Sequence, residues 1–249
     1  MKDQRRLYRD LAWLWPIISP PGDYVEESDR FAALVREHSR VPVKTLLHLG
    51  CGGGHNDATF KRYFHVTGVD ISLAMLEHAQ RLNPEAAYRE GDIRSVRLGR
   101  TFDAVAALDA INYMVTVDDL RAVFRTAYDH LLPGGVFLTY AEETRERFHQ
   151  DKTVGSAYSG EGVDITFIEN IHDPDPTDTT YEATFVYLIR QRGELTIETD
   201  RHLCGVFPFD AWTSALTDTG FTARHFEYSG PEWGPLAVFV GLKEPSAMK

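Results

Sequence analysis

From Thr45 to Thr139 short apolar runs alternate with amphipathic stretches. Leu46–Leu49, Val66–Val69, Phe102–Leu108 and Val136–Leu138 read as buried strands. Helices are expected near 56–63, 72–82, 117–131 and, shorter, 109–114. The alternation predicts an α/β fold: a doubly wound, Rossmann-like, mostly parallel sheet with helices on both faces. Upstream, Val25, Phe31, Leu34 and Val35 fall on one face of a helix, behind a turn or flexible loop at Ser19-Pro-Pro-Gly-Asp23. After Tyr140 the period changes. Val163–Ile171, Thr180–Arg190 and Glu194–Leu203 read as three strands joined by turns at Asp173–Asp178 and Gln191–Gly193, hence an antiparallel insertion. A helix over Phe209–Gly220 ends at a glycine, and Phe221–Tyr228 and Leu236–Leu242 close the chain as strands. The expected organisation is one domain over 1–249: a helical lead-in or lid (1–40), a core (41–140), the insertion (160–205) and a closing helix with strands (206–249).

Composition narrows the function classes. Hydrophobic residues make up 43% and charged residues 25% of 249, ordinary for a soluble domain with a sizeable core. The net charge of -11 argues against nucleic acid and against an anionic membrane surface. Leu11–Ile18 is too short to span a bilayer and contains Pro16. The two cysteines, Cys51 and Cys204, offer no disulfide framework, and the histidines lack metal-ligand spacing, so no metal is expected. A cytoplasmic protein is the expectation.

The chemistry concentrates where the first strand ends. Gly50-Cys-Gly-Gly-Gly54 follows it, and Asp70 stands at the tip of the second strand. Glycine lets backbone approach a ligand, and a strand-end carboxylate can accept from both ribose hydroxyls. A dinucleotide loop needs Gly-x-Gly-x-x-Gly, but the third glycine would fall on His55 or Asp57. Gly50, Gly52 and Gly54 instead give Gly-x-Gly-x-Gly, which suits S-adenosylmethionine (SAM), a nucleoside without pyrophosphate. One helix and strand further on, Asp92 can accept from an adenine amino group while the backbone of Ile93 reads the ring edge.

These pieces, with Thr101–Asp109 and Leu131–Thr139 behind them, resemble class I SAM-dependent methyltransferases over roughly residues 40–140. Asp200–Phe207, the helix with Trp212, Ser229–Gly241, Tyr24 and Leu98–Asp103 resemble the matching segments of bacterial nucleotide-amino-sugar N,N-dimethyltransferases. The resemblance implies SAM as cofactor and S-adenosylhomocysteine as product. It implies Gly50, Cys51, Gly52 and Gly54 as the loop cradle, Asp70 on ribose, Ile71 on adenine, Asp92 and Ile93 at the base, and Leu108 with Asp109 under the sulfonium. It also implies an insertion that caps the pocket and builds a homodimer. Two positions depart from the pattern. His48 stands where the class carries an acid, either as a donor to the SAM carboxylate or as a tolerated core residue. Gly230-Pro-Glu-Trp-Gly-Pro235 has no arginine for a pyrophosphate; its acid and indole suit a less anionic or more aromatic substrate.

Methyl transfer from a sulfonium is an in-line displacement that needs proximity and exclusion of water. Tyr8, Trp13, Trp15, Tyr24, Tyr113, Tyr140 and Trp233 are the candidate aromatic lid. His202 is the candidate base, with Tyr8 or Tyr24 orienting the nucleophile; catalysis by proximity alone is the other option. His130, at a helix end, is expected only to complement the helix dipole. The expected function is methyl transfer to a small-molecule acceptor, nitrogen preferred, in an amino sugar or other secondary metabolite. The alternatives are a small-molecule O-methyltransferase and a SAM-binding protein without transfer activity.

Overall fold

The computed structural model describes residues 5–160, 162–229 and 235–245. The lead-in is a series of short helical turns, then α1 (Trp15–Ile18), a 3-10 turn (Pro21–Tyr24) and α2 (Val25–His38). The core follows as β1 (Thr45–Leu49), α3 (His55–Phe60), β2 (His65–Asp70), α4 (Leu73–Leu82), β3 (Ala87–Glu90), β4 (Phe102–Ala107), a 3-10 segment (Asp109–Tyr113), α5 (Val117–His130) and β5 (Leu131–Ala141). The C-terminal half contributes β6 (Thr153–Gly160), β7 (Val163–His172), β8 (Thr180–Gln191), β9 (Glu194–Gly205), α6 (Phe209–Thr219), β10 (Thr222–Ser229) and β11 (Pro235–Leu242).

Two sheets result. The seven-stranded sheet has the order β10-β11-β5-β4-β1-β2-β3, and β3, β2, β1, β4 and β5 run parallel. β11 joins β5 antiparallel and β10 joins β11 antiparallel. One apolar layer, with Phe102, Phe124, Phe137 and Trp212, packs α5 and α6 on one face; another, with Phe31, Phe60, Leu46 and Val238, packs α2 and α3 on the other. Each such buried side chain contributes about 1.5–3 kcal/mol, the source of the sheet's rigidity. The second sheet, β6-β7-β8-β9, is antiparallel throughout. A third apolar cluster, with Leu7, Leu14, Ile165 and Tyr187, fastens the lead-in to it.

Several expectations are corrected. β6 was not legible as a strand: Thr153-Val-Gly-Ser-Ala-Tyr-Ser-Gly160 carries little apolar signal and is mostly exposed, so only pairing with β7 defines it. Of the turn and the flexible loop expected at 19–23, the structure has the turn, a hydrogen-bonded 3-10 segment at Pro21–Tyr24, with Ser19 Oγ 2.5 Å from Tyr24 Oη. Leu131–Val136 joins β5 without an intervening turn; the register shifts between Phe102 and Ala104 to absorb it. His130 does more than face a dipole, because its Nε2 accepts from Leu98 N–H at 3.0 Å and its Nδ1 donates to Thr126 C=O at 2.7 Å.

Candidate active site

The C-terminal edge of the parallel strands opens into a partly enclosed cleft lined by both apolar and polar residues. It lies where doubly wound sheets bind ligands, outside the strand ends. Strand order sets its axis: Asp92 follows β3, Asp70 ends β2, the glycine loop follows β1, and Asp109 follows β4.

The loop is built around Asp70. Gly50 N and Cys51 N both donate to Val69 C=O, at 2.7 and 3.0 Å. Asp70 Oδ2 accepts from Gly52 N at 2.8 Å and Oδ1 from Ser72 N at 2.9 Å, which fixes the carboxylate at the cleft wall. Gly50 has φ +75°, and a Cβ there would sit 2.0 Å from Ala110 Cβ, so no other residue fits. Asp92 is held by Arg94, whose Nη2 and Nε donate at 2.6 and 3.0 Å; the ion pair draws its carboxyl below the usual range. Arg94 also lines the cleft and reaches Asp119 at 2.9 Å.

Of the expected cofactor residues, Gly50, Cys51, Gly52, Asp70, Ile71, Asp92 and Ile93 line the cleft. Gly54 and Leu108 do not. Gly54 caps α3 with φ +75° and its carbonyl accepts from Asn83; Leu108 is buried in the apolar layer, and its neighbours Asp109 and Ala110 line the wall instead. Met75 is fully buried yet also contributes to the lining. Sequence reasoning missed Arg5, Gly53, His55, Asn56 and Arg94 as lining residues; only proximity to the glycine loop pointed to His55 and Asn56.

Among the aromatic candidates, Tyr8, Trp15, Tyr24 and Tyr113 line the cleft. Trp13 is 42% exposed and points elsewhere, Tyr140 is buried and donates to Asp109, and Trp233 lies outside the described residues with segment 230–234. Trp15 and His55 stack at 5.7 Å, and both carry a buried nitrogen without a partner, Trp15 Nε1 and His55 Nδ1. Burial pushes His55 down to about 4, so its ring is neutral at physiological pH. An orphaned N–H donor beside an orphaned imidazole nitrogen fits the carboxylate and ammonium of an amino-acid tail. The cleft thus fits SAM at both ends, with acids over β2 and β3 for the nucleoside and this pair for the methionine.

His48 does not reach the cleft. It is buried, and its Nδ1 lies 2.7 Å from Asp57 Oδ1 on α3, which also accepts from Tyr88. The tolerated-core reading is the one the geometry supports, since His48 is buried against an acid on the neighbouring helix. His202 is fully buried behind Tyr113 and does not line the cleft either. At the β4 end, burial raises the carboxyl of Asp109, and Glu27, beside it and held by Asn56 Nδ2 at 3.2 Å, rises to about 8.

A doubly wound domain with a Gly-x-Gly-x-Gly loop and a ribose-type acid defines a SAM-dependent methyltransferase, and SAM is its cofactor. Residues 46–135 match the family model described as a methyltransferase domain. A dTDP-4-amino-2,3,4,6-tetradeoxy-D-glucose N,N-dimethyltransferase of Saccharopolyspora spinosa is 32% identical over 89% of this chain and 87% of its own length. A dTDP-3-amino-3,4,6-trideoxy-alpha-D-glucopyranose N,N-dimethyltransferase of Streptomyces venezuelae is 30% identical over 88% and 91%. Among solved structures, Streptomyces venezuelae DesVI superposes with a TM-score of 0.81 at 27% identity, covering 95% of this chain and 96% of its own. SAM-bound CalS10, an amino pentose methyltransferase from Micromonospora echinaspora, gives 0.77 at 26% identity, over 88% and 91%. The chain belongs to the family of SAM-dependent methyltransferases that includes these dTDP-amino-sugar N,N-dimethyltransferases.

Proposed function

We infer that this chain methylates the nitrogen of a small amine, with a nucleotide-linked amino sugar as the acceptor class. The observation that carries nitrogen over oxygen is the acidic β4 end of the cleft, where Asp109 lines the wall with Glu27 behind it. A cationic amine bound there draws the raised carboxyl of Asp109 back toward its ionised form, a gain that a neutral hydroxyl does not have. The full-length similarity to sugar N,N-dimethyltransferases supports the sugar.

In this reading Gly50, Cys51 and Gly52 cradle the cofactor, Asp70 holds the ribose, Ile71 and Ile93 flank the adenine, and Asp92 accepts from its amino group while sharing its charge with Arg94. Trp15 and His55 take the amino-acid tail. SAM, when bound, supplies an electrophilic methyl group. Tyr8 and Tyr24 face the acceptor nitrogen and orient it. Burial raises both phenols, so neither is a phenolate base by itself; His202 acts at one remove. The outer face of the inserted sheet, where β9 exposes Leu195, Ile197 and Leu203, is the homodimer surface. Two free, buried cysteines suit a reducing, cytoplasmic setting.

Calorimetric titration with SAM of the wild type and of Asp70→Ala tests the cofactor half. Loss of a charged acceptor predicts affinity weaker by roughly 10–100-fold. Mass-spectrometric assay of dTDP-linked amino sugars against their hydroxyl counterparts tests the acceptor half. Turnover of hydroxyls alone would make this an O-methyltransferase. SAM binding with no turnover of either set would favour a SAM-binding protein without transfer activity.

A further inference from the structure

A single file of hydrogen bonds runs from the inserted sheet into the cleft. Asp200 Oδ2 lies 2.8 Å from His202 Nε2; His202 Nδ1 lies 2.9 Å from Tyr113 Oη; Tyr113 Oη lies 2.6 Å from Tyr8 Oη. Asp200 also accepts from Leu7 N at 2.7 Å and Arg201 N at 2.9 Å, which satisfies its charge without a cation. His202 is fully buried, with Phe185 packed at 4.3 Å. Nothing in packing alone requires four polar groups in series behind an apolar sheet.

The file has a direction, and the carboxylate sets it. An ionised Asp200 only accepts, so Nε2 of His202 carries a proton. In the neutral ring Nδ1 is then an acceptor and takes the hydroxyl proton of Tyr113. Tyr113 Oη has spent its proton and must accept that of Tyr8. Tyr8 therefore turns a lone pair, and no proton, toward the cleft. The relay takes the neutral ring as its resting form, and the Arg5 guanidinium lies beside the file, 3.5 Å from the Tyr113 ring centre and 4.9 Å from that of Tyr8.

We propose that Asp200, His202 and Tyr113 are a directional proton relay behind Tyr8, which receives the proton an amine acceptor sheds before attack. This rests on the amine reading above. The ammonium N–H breaks and its proton joins Tyr8 Oη. Tyr8's own proton passes to Tyr113, and Tyr113's passes to His202 Nδ1. The nitrogen keeps the bonding pair as its nucleophilic lone pair, and the charge moves onto an imidazolium paired with Asp200. The bonds from Tyr8 to Tyr113 and from Tyr113 to His202 have then reversed, while Nε2–H still donates to Asp200. When products leave, the same file runs backward and Tyr8 releases the proton to water in the cleft. Around His202 the titratable groups are Asp200 and Cys204 on β9, Tyr187 on β8, Tyr113 on the 3-10 segment, and Tyr8 and Arg5 on the lead-in. Tyr8 is the catalytic residue; the other three act through it.

Nitrogen-15 spectra of the imidazole rings in wild type test the direction without any acceptor. A neutral ring protonated on Nε2 is expected for His202; protonation on Nδ1, or an imidazolium at neutral pH, overturns the relay. The second arm compares Tyr113→Phe and Asp200→Asn with wild type on a dTDP-linked amino sugar across pH. The relay predicts kcat lower by about 10²–10³-fold at neutral pH. The deficit shrinks as pH approaches the amine's own pKa, because the acceptor then arrives without the extra proton. A loss equal at every pH marks a structural role and overturns the proposal. Should wild type turn over no amine while His202 shows the stated tautomer, the amine reading falls and the direction of the file stands.

Discussion

Single residues at the cleft carry a pH signature. Glu27 is 6% exposed, and burial, aided by Asp109, lifts its carboxyl from an ordinary 4.5 to about 8. The folded chain thus holds a proton that the unfolded chain releases between those values. Its contribution is complete below 4.5, is lost as pH rises through the window, and is gone above 8. Glu27→Gln keeps an oxygen for Asn56 and removes the titration. Thermal melts should show the variant more stable than wild type by about 1–2 kcal/mol near pH 9, and equal near pH 4. An unchanged difference across pH would mean that Glu27 is ionised in the fold. His55 and Trp15 illustrate the limit of residue-level reading. Trp15 appears in the sequence as one more aromatic, and its orphaned N–H becomes informative only when stacked on His55 at the cleft.

At the scale of elements, the glycine loop and the 3-10 segment are one unit. β1 and β4 are paired neighbours, so the turns that follow them meet, and a Cβ on Gly50 would run into Ala110. Gly50→Ala combines a positive φ with a collision against the Ala110 Cβ. It is expected to cost about 2–4 kcal/mol and to abolish SAM binding, read by chemical denaturation and calorimetry. Retained binding would show that the 3-10 segment yields freely. The loop itself was legible, since glycine spacing and a strand-end acid report local backbone demands. β6 was not, because an exposed edge strand of small polar residues is defined by its partner rather than by its own pattern. The register shift that runs α5 directly into β5 was hidden for the same reason: Leu131 is fixed by Phe102 across the ladder.

For the whole molecule, the inserted sheet has two unequal faces. One is sealed by the lead-in through Leu7, Leu14 and Tyr187. The other leaves Ile197 60% and Leu203 51% exposed on the edge strand β9. If that face joins two copies, Ile197→Lys should shift the sedimentation mass from dimer to monomer while SAM affinity stays the same, since the face is remote from the cleft lining. A wild-type monomer at assay concentration would remove the dimer.

The sequence by itself determined the parallel core, the antiparallel insertion, the glycine loop and the strand-end acids that line the cleft, because each is encoded in local periodicity, glycine spacing or a strand end. Tertiary structure decided what depends on distant partners. It buried His48 against Asp57, withdrew Gly54 and Leu108 from the cleft, and set His202 behind Tyr113 rather than in front of it. It also joined Asp200 to Tyr8, nearly the whole chain apart, because a hydrogen bond depends on where side chains meet and not on how far apart they lie in sequence.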